Sequence, residues 1–222
     1  MNARDTPPDR IPHRLIAELE SGETGSLRAA LLKEAPPLPL KPTRSDFDLN
    51  PSIRPKEERK LQPAAVLMPI ISGTTPRVLF TERSPHLTRH AGQVSFPGGR
   101  ADDTDISLVQ TALRETHEET GIEPAFVSVA GFLDTYETGT GYAILPVVGV
   151  LTEGFALRPG AAEVERIFEV PLAFLLDPKN REQGHGQWQG QKRTYYTYHY
   201  AGHRIWGATA AMIVNFTERF SR

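Results

Sequence analysis

The stretch Arg114-Glu115-Thr116-His117-Glu118-Glu119-Thr120-Gly121-Ile122 crowds three carboxylates into five residues. With the residues before it, the stretch predicts a helix over 105–120, closed by Gly121. At roughly 100° per residue, Glu115, Glu118 and Glu119 fall on one face within an arc of roughly 100°. Ile106, Val109, Leu113 and Thr116 occupy the opposite side. Such a face has two readings. One is a solvated acidic surface. Against it, like charges at i, i+4 repel, and acids near a helix C-terminus oppose the helix dipole. The other is a cation site, because a divalent ion removes both penalties. Clustered oxygen donors in a chain with no cysteine suit a hard metal, Mg²⁺ or Mn²⁺.

Working outward, Pro97-Gly98-Gly99, Asp102 and Asp105 precede the helix. Glycines there let a backbone come close to a ligand and turn a carbonyl toward a metal. The whole run resembles the Nudix box, Gly-x5-Glu-x7-Arg-Glu-(apolar)-x-Glu-Glu-x-Gly-(apolar). The matching residues are Gly99, Arg114, Glu115, Glu118, Glu119, Gly121 and Ile122. The resemblance implies an α/β/α sandwich with a mixed sheet, and hydrolysis of a nucleoside diphosphate linked to another moiety. It departs from the pattern in three ways. Asp105 stands in place of the first Glu, eight residues rather than seven separate it from Arg114, and Thr116 replaces the apolar residue. Asp is a good N-cap, so Asp105 is read as the start of the helix and not as a metal ligand. Thr116 is expected to pack.

The preceding loop, Leu79-Phe80-Thr81-Glu82-Arg83-Ser84 through Gly92 to Phe96-Pro97-Gly98-Gly99, resembles the signature of the coenzyme A diphosphatase branch. The second Arg of that signature falls on Thr88, with Arg89 next to it. Coenzyme A carries a 3′-phosphate besides its diphosphate, so cationic donors are expected. Arg83, Arg89 and His90 are the local candidates, with Phe96 and Tyr142 as further substrate-site residues. The resemblance implies Glu115, Glu118, Glu119 and the Gly99 carbonyl as metal ligands and Arg114 as a residue that orients a glutamate. A helix glutamate or Glu163 accepts the proton of the attacking water. The implied products are 3′,5′-ADP and 4′-phosphopantetheine. Alternatives are a Nudix hydrolase of ADP-ribose, NADH or a nucleoside triphosphate, and a non-catalytic nucleotide-binding module.

The rest of the chain reads as an alternation of strands and helices. Strands are predicted at 64–72, 77–83, 125–135, 143–152, 164–170 and 195–200, with a loop over 84–104. Helices are predicted at 172–176 and 208–220. Residues 1–63 hold 10 of the 19 prolines but only 2 of the 18 glycines. Proline resists helix interiors and central strands. Residues 1–60 therefore read as an extension with short helices at 13–21 and 26–33 and a linker at 35–43, ahead of a hydrolase domain at 61–222. Lys and Arg total 25 against 27 Asp and Glu, a net charge of −2. That balance gives no bulk electrostatic case for nucleic acid or an anionic membrane. The apolar runs are far short of a membrane span, and the N-terminus lacks an apolar signal core, so a cytoplasmic location is the expectation. A small-molecule nucleotide of the coenzyme A type is the expected partner, and a homodimer is compatible with the sequence.

Overall fold

The structure, a computed structural model, describes residues 13–57, 59–86, 91–152, 154–160 and 162–220. Helices α1 (His13–Glu20) and α2 (Gly25–Ala30) come first, followed by strands β1 (Arg44–Ser45), β2 (Gln62–Ile71), β3 (Arg77–Arg83), β4 (Val94–Ser95) and β5 (Gly98–Arg100). Helix α3 (Leu108–Thr120) leads to β6 (Val127–Phe132), β7 (Tyr136–Glu137), β8 (Tyr142–Leu151) and β9 (Val164–Pro171). Helix α4 (Leu172–Leu176), strands β10 (Glu182–Trp188), β11 (Gln191–Tyr200) and β12 (His203–Trp206), and helix α5 (Gly207–Glu218) complete the order.

Strands β1 to β9 form one mixed sheet, and β10, β11 and β12 form a smaller antiparallel one. The centre is β2, parallel to β8 from Gln62 opposite Tyr142 to Ile71 opposite Leu151. Both strands are apolar on both faces, as a strand covered from two sides must be. Ala65 and Leu67, beside Leu145 and Val147, pack with Leu108 and Ala112 of α3. On the other face, Met68 and Ile70, beside Val148 and Val150, share a core with apolar residues of α1, α2, α4 and α5. The period of two along β2 thus divides the molecule into helix, sheet and helix layers. This is the α/β/α sandwich expected from the resemblance. No helix among the described residues is long and apolar enough to cross a membrane.

Residues 13–57 pack onto this sandwich. Leu15, Leu19, Leu27 and Leu31 are buried in the core that holds α5. Burial of each leucine side chain contributes about 1.5–3 kcal/mol. Leu32 and Phe132 exchange two backbone hydrogen bonds of 3.0 Å, and β1 pairs in parallel with β7.

Three expectations are corrected. The helix starts at Leu108, not Asp105, and its N-cap is Ser107, whose hydroxyl accepts from the Gln110 N–H at 3.2 Å. Asp105 instead accepts from the Asp102 N–H at 2.9 Å in a turn, and Ile106 is 90 % exposed rather than packed. The expected loop over 84–104 contains β4 and β5. Strands β10 and β12 were also not anticipated. Glycines hide β10, because Gly184 stands opposite Tyr195, whose ring lies 2.4 Å from where a Cβ would be. Thr116 is buried as expected, its hydroxyl donating to the Ala112 carbonyl at 2.6 Å.

Candidate functional site

The site grows from the contact between α3 and β5. Pairing with β2 presses the Gly98-Gly99 backbone into a space with no room for side chains. A Cβ on Gly98 would lie 2.4 Å from the Ala65 carbonyl oxygen, and its φ of 153° suits glycine alone. A Cβ on Gly99 would lie 2.5 Å from the Glu115 carboxyl carbon, so that carboxylate rests directly on the backbone. One turn further along α3, Glu119 Oε2 accepts from the Gly98 N–H at 3.3 Å and from the Thr81 hydroxyl at 3.5 Å. Arg83 reaches both sides of the site, 3.8 Å from Glu119 Oε1 and 3.2 Å from Glu163 Oε2. Glu163 comes from the loop before β9, which is docked by the Ser84 N–H donating to the Glu163 carbonyl at 2.9 Å.

Glu119 is thus held in a place with little water, and Glu115 is half-buried beside it. Glu119 is 6 % exposed, and burial pushes its carboxyl up from 4.5 to about 7, although the Gly98 N–H and Arg83 pull the other way. Burial raises Glu115 as well, against the opposing pull of Arg114. The neighbouring carboxylates add to both shifts by repulsion. Glu118 departs from the pair. Its side chain is 57 % exposed and turns to Arg114 at 3.3 Å. Among the described residues, no three acidic or histidine side chains converge closely enough to hold a metal.

Arg114 bonds the expected kind of partner, a glutamate, and a further carboxylate besides. It grips Asp105 through Nε and Nη2, each at 2.9 Å, and reaches Glu115 Oε1 at 2.9 Å with Nη1. Its hydrogen bonds hold the Asp105 carboxyl well below the usual carboxylate range. The eight-residue spacing from Asp105 to Arg114 therefore forms a clasp between the turn before α3 and the acidic face.

Beside Gly98 and Gly99 opens a groove of about 870 Å³, a size that suits a small-molecule ligand. Its floor is one face of the sheet, with Ala64 and Val66 of β2, Gly98 and Arg100 of β5, and Tyr142 and Ile144 of β8. The start of α5 and Trp206 form a wall. Of the expected substrate residues, Arg83 and Tyr142 line the groove. Phe96 lines it too, but it is 1 % exposed and stacks on Phe80, so it supports the wall from the core. Arg89 and His90 lie outside the described residues. Sequence reasoning missed Lys60, Arg100 and Arg193, which also line the groove. Arg100 was within reach, since it alternates with Gly98 along one short strand. Arg193 comes from a hairpin that no local signal places here.

The NUDIX domain family model matches residues 60–199. The chain is 42% identical over 179 residues to an "Uncharacterized Nudix hydrolase NudL" of Pectobacterium atrosepticum, covering 77% of this chain and 88% of that protein. A protein of the same description from Escherichia coli O1:K1 is 40% identical over 173 residues, covering 74% and 85%. Among solved structures, the NUDIX domain of Shewanella oneidensis NrtR complexed with ADP ribose is similar at 26% identity and a TM-score of 0.42, over 55% of this chain and 80% of that one.

Proposed function

Because the chain belongs to the NUDIX domain family and is a Nudix hydrolase, we propose that it hydrolyses the diphosphate bond of coenzyme A or its derivatives, with Mg²⁺ or Mn²⁺. The products are 3′,5′-ADP and 4′-phosphopantetheine, or its acyl form. The observation that carries this reading is the pair of carboxylates, half-buried Glu115 and buried Glu119, on the Gly98-Gly99 backbone beside a cation-lined groove. The resemblance of Leu79 to Gly99 to the coenzyme A diphosphatase signature narrows the substrate.

The donor set fits a divalent cation. It is made of hard oxygen atoms, and the carboxyls of half-buried Glu115 and buried Glu119 are raised by desolvation and by repulsion from neighbouring carboxylates, which a cation relieves. Glu115, Glu119 and the Gly99 carbonyl would hold the ion, with Glu118 joining by a rotation of its exposed side chain. When bound, such an ion neutralises the diphosphate and acidifies a water. The remaining steps fall to the chain. Arg83 binds a phosphoryl oxygen of the substrate and keeps Glu163 oriented through their 3.2 Å pair. Glu163 accepts the water proton as the general base. Arg114 fixes Glu115 while anchored by Asp105.

Mass-resolved product analysis with coenzyme A and Mg²⁺ or Mn²⁺ tests the reading. Equal release of 3′,5′-ADP and 4′-phosphopantetheine is expected. Turnover of ADP-ribose or NADH with coenzyme A left intact would overturn the substrate assignment.

A further inference from the structure

The groove contains more positive charge than a single diphosphate needs. Among the described residues four cations line it, Lys60, Arg83, Arg100 and Arg193, against one carboxylate, Asp46. Two of the four are already engaged. Arg83 is shared between Glu119 and Glu163, and Arg193 pairs with Asp46 at 2.8 Å. Lys60 and Arg100 are exposed, and among the described residues neither has an acidic partner.

The sheet register places Arg100 on the groove face of β5, opposite to the face on which Gly99 meets Glu115. Gly98 stands opposite Val66, and Arg100 opposite Ala64. Arg100 is thus two residues, about 7 Å, beyond Gly98 on the same face of β5. Lys60 precedes β2 and lies four residues, about 13 Å of extended chain, before Ala64. Between them the floor is formed by Gln62, Ala64 and Ile144, with Tyr142 beside Gln62. A substrate whose diphosphate sits at Gly98-Gly99 extends its next portion over this floor toward Lys60 and Arg100.

We propose that Lys60 and Arg100 bind a phosphate monoester that the substrate carries outside its scissile diphosphate, and that they select a 3′-phosphorylated adenine nucleotide portion. A dianionic monoester outside the scissile diphosphate needs its own charge-assisted partners, because a metal at the carboxylates would serve the diphosphate. Among the described residues, Lys60 and Arg100 are the groove cations without an acidic partner. The proposal rests on the coenzyme A reading for its ligand, but its test is independent of turnover.

Titration calorimetry on the full chain in EDTA compares adenosine 3′,5′-bisphosphate with 5′-AMP. The parent protein is expected to bind the bisphosphate at least about tenfold more tightly, equivalent to about 1.4 kcal/mol. A Lys60→Ala/Arg100→Ala double variant is expected to reduce this ratio below about twofold. Lys60→Arg, which retains the charge, is expected to preserve it. Equal binding of the two nucleotides by the parent, including no measurable binding of either, overturns the proposal. So does a preference that survives the double substitution. If coenzyme A is not cleaved but the preference is present and depends on Lys60 and Arg100, the proposed reaction falls and this site stands. If coenzyme A is cleaved without that preference, the site falls and the reaction stands.

Discussion

Glu119 shows how one buried carboxyl ties stability to pH. Between its ordinary 4.5 and about 7, the folded protein retains a proton that the unfolded chain has released. Stability is therefore full below 4.5 and falls as pH rises through this window, by at most about 1.4 kcal/mol per unit. Glu119→Gln removes the dependence. In EDTA the variant is expected to gain on its parent between pH 5 and pH 8 in urea melts, and a parent that instead gains on the variant would contradict a buried carboxylate. With metal added, the same variant is expected to lose most turnover. Gly99→Ala makes a steric test of the same site. Its Cβ would overlap the Glu115 carboxyl, a flexible group that can swing away, so the fold should survive while turnover drops about tenfold or more. A near-normal rate would show that the Glu115 position is not critical. Glu163→Gln should lower kcat about a hundredfold with Mg²⁺ binding intact, as expected of a proton acceptor rather than a ligand. These glutamates were legible because helical periodicity alone puts 115 and 119 on one face. The divergence of Glu118 was not, since it depends on where Arg114 points, and that depends on Asp105.

At the level of elements, the end of α3 was readable and its beginning was not. Gly121 marks the C-terminus, at φ 76°. At the other end, Asp102, Asp105 and Ser107 are all plausible caps by residue type, and only the tertiary pull of Arg114 decides among them. Asp105 is claimed by that arginine, which leaves Ser107 to cap the helix. Asp105→Ala is expected to destabilise the protein by about 1–3 kcal/mol, because it removes two charge-assisted bonds from the Arg114 guanidinium. It should also lower kcat, since Glu115 loses the anchored side of its partner. Retention of both stability and rate would remove the clasp from the mechanism. Strand β11 was legible in the alternation of Tyr195 to Tyr200. Its partner β10 was obscured because Gly184 yields its side-chain space to a tyrosine across the ladder.

Across the whole molecule, the proline-rich composition of residues 1–63 led to an extension with short helices, and both helices are present. Their docking was not legible, because the groups that receive them are distant in sequence. The Leu19 carbonyl accepts from the Gly73 N–H at 3.1 Å, and Arg28 donates to the Val129 carbonyl at 3.0 Å. Asn50 binds the backbone of Thr194 from both sides, accepting from its N–H at 2.7 Å and donating to its carbonyl at 2.8 Å. Leu19→Ala is accordingly expected to lower global stability by about 2–5 kcal/mol, measured as one cooperative urea transition. A separate early transition would show that this segment melts alone. The pairing of Arg44 with Glu218 spans 174 residues of chain. At the usual ~5–20 residues per second of translation, roughly ten to thirty-five seconds separate the synthesis of those two partners. Throughout that interval the leucines of α1 and α2 have no α5 to cover them. The nascent chain thus offers a hydrophobic target to chaperones long before the enzyme has a groove.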